Sequence, residues 1–143
     1  MKQLIITFFC LISWVGGISA QVAVIAHKSV PIDTVKNSEL LNFYTGDVSF
    51  WSDGEPIIIF DLKPRSEAKD TFYNFLGMNS SRIKSIWMKR MLSGDADPPE
   101  SLKTEEDVLK KVTSTPGAIG FVSHSKVSRE VKVLVVIEPG EKN

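Results

Sequence analysis

Cysteine is almost absent from this chain: Cys10 is the only one, and it sits inside an apolar N-terminal run. A mature chain cut after that run holds no thiol. Cys nucleophiles, thiolate metal sites and disulfides are thereby excluded from it, which is compatible with an oxidising compartment where disulfides are permitted but not required. An excess of either charge is missing too, with 17 Lys plus Arg against 17 Asp plus Glu. Duplex nucleic acid is normally met by a basic excess that displaces counterions from phosphates, so nucleic acid is not an expected partner. There is no repeat, no low-complexity tract and no like-charge block. The familiar catalytic signatures are also lacking: no Gly-rich phosphate loop, His-Glu-x-x-His helix, Cys-x-x-Cys pair or Gly-x-Ser-x-Gly elbow occurs. These absences argue against an enzyme and against a cofactor.

What is present is a globular balance, 143 residues with 43% hydrophobic and 24% charged, enough for one domain around one core. The N-terminus departs from this average. Lys2 is followed by an apolar run from Leu4 to Val15, interrupted only by Thr7 and Ser13, and then by the small-residue stretch Gly16 to Ala20. A positive start, a short apolar middle and a small-residue end is the layout of a secretory signal peptide. The run is shorter than the ~20 apolar residues that a membrane span needs. Residues 1–20 are therefore expected to be a signal peptide cut after Ala20, leaving a single domain over 21–143, exported to the periplasm. Phe8 and Phe9 precede Cys10 where a lipoprotein acylation site would have small residues, so lipidation is not expected.

In the mature chain, Val22–Ala26 reads as a strand buried on both faces. Asn37 or Ser38 is expected to cap a short helix that turns Leu40, Leu41 and Tyr44 inward and stops at Gly46. Val48–Gly54 reads as an ordered loop and Pro56–Phe60 as a second strand, β-branched at its centre. Ser66 caps a helix through Leu76, with Ala68, Phe72, Phe75 and Leu76 on its apolar face and Gly77 as its stop. The next helix starts at Ser80 or Ser81 and runs to Leu92, with Ile83, Ile86, Trp87 and Met91 on its apolar face. Gly94–Pro99 breaks the chain. Thr104 with Asp107 begins a further helix carrying Val108, Leu109 and Val112, which ends before Pro116-Gly117. Ala118–Val122 and Val131–Ile137 are the last two strands. Strands alternating with helices at this spacing predict an α/β domain with a mainly parallel sheet flanked by helices.

In such sheets ligands bind beyond the carboxyl ends of strands, at helix N-termini. That rule selects His27, Lys28 and Ser29 after the first strand, Asp61 to Ser66 after the second, and Ser123 and His124 after the third. His27 and His124 could converge with Asp61 on a metal ion, but two scattered histidines without ligand spacing more often line a surface or cleft, and no metal site is expected. Asp61 with Glu67 could form an acid/base pair, although carboxylates at a strand end and a helix N-terminus more often act as caps. No catalytic residue is expected. Lys63-Pro64-Arg65-Ser66 is the sharper feature. Two cations and a hydroxyl lead into a helix whose first N–H groups lack internal partners, which suits an oxyanion. Glu67 opposes that reading, because its carboxylate already stands at the positive helix end. Arg82, Lys84, Lys89 and Arg90 read as a solvated basic flank, and Trp51 and Trp87 as packing residues.

The segments Ser38–Gly46, Phe50–Gly54, Pro56–Asp61, Phe72–Gly77, Gly94–Pro99 and Thr115–Val122 together resemble the phosphate-binding-protein-like superfamily, the periplasmic solute receptors of phosphate ABC transporters. The helix-Thr45-Gly46 element with Trp51, combined with Pro116-Gly117-Ala118-Ile119-Gly120-Phe121, is the most specific part. The chain looks like a short member with one lobe. The resemblance implies a single lobe of a type II periplasmic-binding-protein-like fold, a small phosphate-like oxyanion as ligand, and a membrane transporter as partner. The expected ligand contacts are Lys63, Arg65, Ser66 and Ser123. Only Arg65 and Ser66 match the family's anion loop; its glycines are replaced by Glu67-Ala68-Lys69-Asp70-Thr71. A lobe that has lost its ligand implies, as the alternative, an interaction protein that meets a sensor, porin or transporter.

Overall fold

A computed structural model describes residues 20–141, so the expected signal peptide falls almost wholly outside the described residues. The sheet has five strands, β1 (Val22–Ala26), β2 (Ile58–Leu62), β3 (Glu100–Leu102), β4 (Ala118–Ser123) and β5 (Lys132–Ile137), in the order β3-β2-β4-β1-β5. Four helices flank it: α1 (Asn37–Thr45), α2 (Glu67–Phe75), α3 (Ser80–Leu92) and α4 (Glu105–Ser114). No helix among the described residues is long and apolar enough to cross a membrane.

The expected α/β lobe forms, and its three apolar runs are neighbouring strands. The sheet is mixed, however, where a mainly parallel one was expected. β2 runs parallel to β3 and β4, whereas β1 runs antiparallel to both β4 and β5. Every residue of β1 is buried, so its unbroken apolar run records burial on two faces. Such a run carries no information about strand direction. β3 was not anticipated either, because Glu100-Ser101-Leu102 is a short, largely exposed edge strand with no apolar run.

Local chemistry sets the helix limits. Ser66 caps α2 by accepting from Lys69 N at 3.3 Å, Asn79 caps α3 by accepting from Arg82 N at 2.8 Å, and Thr104 caps α4 by accepting from Asp107 N at 3.1 Å. The cap of α1 is Lys36, one residue earlier than expected, with its N–H donating to Glu39 Oε2 at 2.7 Å. Satisfied caps of this kind contribute ~1 kcal/mol each. α1 ends at Gly46, whose φ of +78° suits glycine and where an added Cβ would lie 2.8 Å from the Trp87 ring. Trp87 donates to Tyr44 O at 2.9 Å and Arg90 to Thr45 O at 2.8 Å, so α3 satisfies carbonyls at the end of α1. Arg90 was expected on a solvated flank; it is half-buried in this contact and pairs with Asp47 at 2.5 Å.

The core lies between the sheet and the helices. Phe72 of α2 stacks on Phe121 of β4 with ring centroids 4.1 Å apart, and Tyr44 meets Phe72 edge-on at 4.7 Å. All three rings are fully buried. Each such side chain contributes about 1.5–3 kcal/mol from removal of apolar surface, which is what presses α2 onto β4.

Candidate functional site at the carboxyl edge of the sheet

The register of β2 and β4 decides what shares an edge. Ile58 pairs with Ala118 and Ile59 with Ile119. Carried forward, this offset brings Lys63 and Ser123 to one level at the ends of neighbouring strands. The chain beyond β2 leads into α2 and the chain beyond β3 into α4, so two helix N-termini open at this edge. Lys63 is anchored there by its backbone N–H, which donates to Leu102 O at 2.9 Å.

The four expected contact residues thus lie at one edge. Lys63 and Arg65 are exposed, while Ser66 and Ser123 are half-buried. Arg65 has φ +70°, the only non-glycine residue with positive φ among those described. This left-handed turn reverses the chain between β2 and α2, and it costs an arginine about 1–2 kcal/mol relative to an ordinary backbone. The hydroxyl of Ser66 is committed to Lys69 N, which leaves the N–H groups of Glu67 and Ala68 as the donors at the mouth of α2. Glu67 and Asp70, both exposed, already place carboxylates in this first turn.

Ser123 is engaged more tightly. Glu105, the first residue of α4, accepts from both its N–H at 2.6 Å and its hydroxyl at 2.7 Å. Lys126 reaches Glu105 Oε2 at 3.3 Å and Glu106 Oε1 at 2.5 Å. The hydrogen bond to Glu106, reinforced by that to Glu105, holds the Lys126 pKa above the ordinary lysine value, and the same contact holds Glu106 below the usual carboxylate value. The donors at the end of β4 are thus taken up by the chain's own carboxylate.

Three groupings read from the sequence do not form. Because β1 is antiparallel, its carboxyl end lies at the opposite edge. There His27 N donates to Ala118 O at 2.9 Å, and Ser29 Oγ accepts from Gly117 N at 3.1 Å while contacting His27 Nδ1 at 2.8 Å. His27, Lys28 and Ser29 therefore cannot join the site. His124 stands at the other end of the sheet, its N–H donating to Gln21 O at 2.8 Å, so the two histidines do not converge with Asp61. Asp61 does not pair with Glu67 either, since Asp61 is buried and Glu67 is exposed.

Asp61 instead belongs to a cluster that the sequence reading missed. Its Oδ2 accepts from Tyr73 Oη at 2.7 Å and from Lys69 Nζ at 3.3 Å, and Oδ1 accepts from Leu62 N at 2.7 Å. Lys69 also donates to Leu62 O at 2.7 Å, and its ammonium lies 5.4 Å from the Tyr73 ring centroid. Burial, with the Asp61 carboxylate adding to it, pushes the Tyr73 phenol far above its ordinary pKa and keeps it a donor. A signal for this cluster was available. Lys69 and Tyr73 stand four apart on α2, beside the apolar positions Ala68 and Phe72, so a buried cation there demanded a buried carboxylate.

No protein-family model and no curated protein sequence matches the chain. Solved structures do. A Clostridium perfringens protein described as a phosphate ABC transporter substrate-binding protein, with bound phosphate, superposes with a TM-score of 0.67 at 20% identity, over 80% of this chain and 45% of that one. An ABC-type phosphate transport receptor from Vibrio cholerae gives a TM-score of 0.64 at 17% identity, over 80% of this chain and 46% of the other. PstS from Borrelia burgdorferi gives 0.60 at 15%, over 80% and 47%. The chain has the fold of one part of these transport proteins and spans a little under half of their length.

Proposed function

We propose that this chain is an exported solute-binding lobe that takes a small oxyanion, phosphate-like in charge and size, at the carboxyl edge of its sheet. The contacts in this reading are Lys63, Arg65, Ser66 and Ser123. One observation supports it: Lys63 and Arg65 immediately precede the N-terminus of α2, in a fold that resembles that of a phosphate-bound transport protein. In this reading, partial positive charge from the helix end and formal charge from the two side chains act together on the anion. The function is binding rather than turnover, and the partner in this reading is an ABC-type membrane transporter.

The half-site is open to water, where each charge pair contributes only about 0–1 kcal/mol. Glu67 opposes a dianion, and Glu105 must release Ser123 before that residue can serve. The lone lobe should therefore bind weakly, on the order of high micromolar or worse. A transporter surface or a second chain covering the edge would strengthen it by excluding water.

Calorimetry with phosphate, sulfate and carboxylates is the test. Arg65→Ala should abolish the phosphate heat, and Glu67→Gly should increase affinity by freeing the helix end. If Arg65→Ala changes nothing and Glu67→Gly leaves phosphate binding undetectable, the oxyanion reading fails. Export is tested separately by the intact mass of the secreted product. A chain beginning at Gln21 supports it, and one that keeps Met1 removes it.

A further inference from the structure

Beside the Lys63–Ser66 loop, a cavity of about 360 Å³ opens between α2, α3 and the β3 edge of the sheet. Its floor is the Asp61–Lys69–Tyr73 cluster, its far wall is Trp87, Met88 and Met91 of α3, and Lys84 stands at its rim. A volume of this size is at the lower end of the range of about 300–1,000 Å³ for small-molecule sites, which are mostly apolar with a few convergent polar groups.

Two features of the lining have no use within the fold. Met91 is 45% exposed although it lies on the face of α3 that carries buried Ile83 and Trp87, and Met88, 44% exposed, flanks that face. Methionine adapts its shape to an apolar guest more readily than branched residues do. The second feature is the donor count of Lys69. Its ammonium has three N–H groups, of which Asp61 and Leu62 O occupy two, and the side chain is only 10% exposed.

The charge of the lining selects the class of guest. Asp61 is balanced by Lys69, and Lys84 adds a positive charge at the rim, so the formal balance favours an anion. Asp61 already accepts three hydrogen bonds, which argues against an ammonium guest. A compact, heavily hydrated dianion gains nothing from Trp87, Met88 and Met91. A singly charged head with an apolar body satisfies both parts of the lining. We propose that this cavity is a second ligand site, taking a small amphipathic monoanion. Its carboxylate meets Lys69 and Lys84, and its aryl or alkyl group lies on Trp87, Met88 and Met91.

The test titrates the purified protein with 3-phenylpropanoate and follows the methyl resonances of Met88 and Met91, assigned by Met88→Leu and Met91→Leu. Both methyls should shift saturably, with a Kd of about 1 mM or tighter, and the neutral 3-phenylpropanamide should bind at least roughly tenfold more weakly. Lys84→Gln, at an exposed rim position, should weaken the carboxylate and leave the amide unchanged. Arg65→Ala should leave this binding intact, which separates the cavity from the oxyanion edge. The absence of a saturable shift overturns the proposal, and so does an amide that binds as tightly as the carboxylate.

Discussion

The Glu105 carboxylate accepts both the N–H and the hydroxyl of Ser123, at 2.6 and 2.7 Å, across 18 positions of sequence. An acidic residue at the start of α4 thereby closes the end of β4, and Lys126 completes the arrangement from the other side. Whatever anion comes to this edge must compete with a carboxylate that is tethered in place.

The first prediction follows from that competition. Glu105→Gln keeps an oxygen able to accept from Ser123 but removes the negative charge and the Lys126 contact at Oε2, so phosphate should bind more tightly at a cost in stability of no more than about 1 kcal/mol. Glu105→Ala leaves the Ser123 N–H without its partner and should cost about 1–3 kcal/mol. Calorimetry and urea unfolding on the same two variants separate the effects. Equal phosphate affinity in wild type and Glu105→Gln would show that Glu105 does not guard the site.

Arg65 is held at φ +70°. Arg65→Gly and Arg65→Ala remove the same charge, but glycine adopts this backbone without strain. The Gly variant should be the more stable of the two by ~1 kcal/mol in urea unfolding, and neither should bind phosphate. An Ala variant as stable as the Gly variant would mean that the turn relaxes and stores no strain.

Asp61 and Lys69 are a buried pair, with side chains 9% and 10% exposed. Asp61→Asn leaves the ammonium uncompensated and should destabilise by about 3–5 kcal/mol, as should Lys69→Met. The double variant Asp61→Asn/Lys69→Met should lose distinctly less than the sum of the two. A denaturant double-mutant cycle measures this, and strict additivity would deny the coupling.

Tyr44 and Tyr73 are the chain's two tyrosines, and burial followed by the Asp61 charge raises both phenol pKa values. A raised folded pKa means that the native state keeps protons which the unfolded chain releases above pH ~10. The stabilising contribution is therefore complete below that pH and is lost as pH rises beyond it. Phenolate absorbance should appear only together with alkaline unfolding. Tyr73→Phe should make the fall in stability above pH ~10 shallower, by removing one of the two linked protons. Phenolate formation in a chain that is still folded would refute this.

Much of the fold was legible because it is written in local pattern. The caps at Ser66 and Thr104, the helix α2 with Phe72 inward, and the apolar runs of β1 and β4 stand where the local pattern put them, while β2 begins and ends two residues later than Pro56–Phe60 and takes in Asp61. Four site residues were selected by one rule, that loops after strands converge. Lys63, Arg65, Ser66 and Ser123 follow parallel strands and stand at one edge, whereas His27 to Ser29 follow the reversed β1 and stand at the other. The rule assumes that strands point the same way, and an apolar run reads alike in both directions.

By itself, the sequence determined where the four helices and the apolar strands form, most of their caps and which faces are apolar, because those depend on residues within a few positions of one another. The exposed edge strand β3 had no such signal. Only the tertiary structure decided that β1 enters the sheet reversed, that Glu105 holds Ser123, and that Asp61 joins Lys69 and Tyr73. Strand order and direction follow from the joint packing of the whole core rather than from the composition of any one segment. A buried charge then takes the partner which that packing brings within reach, since one left without a partner would cost more than the fold can spare.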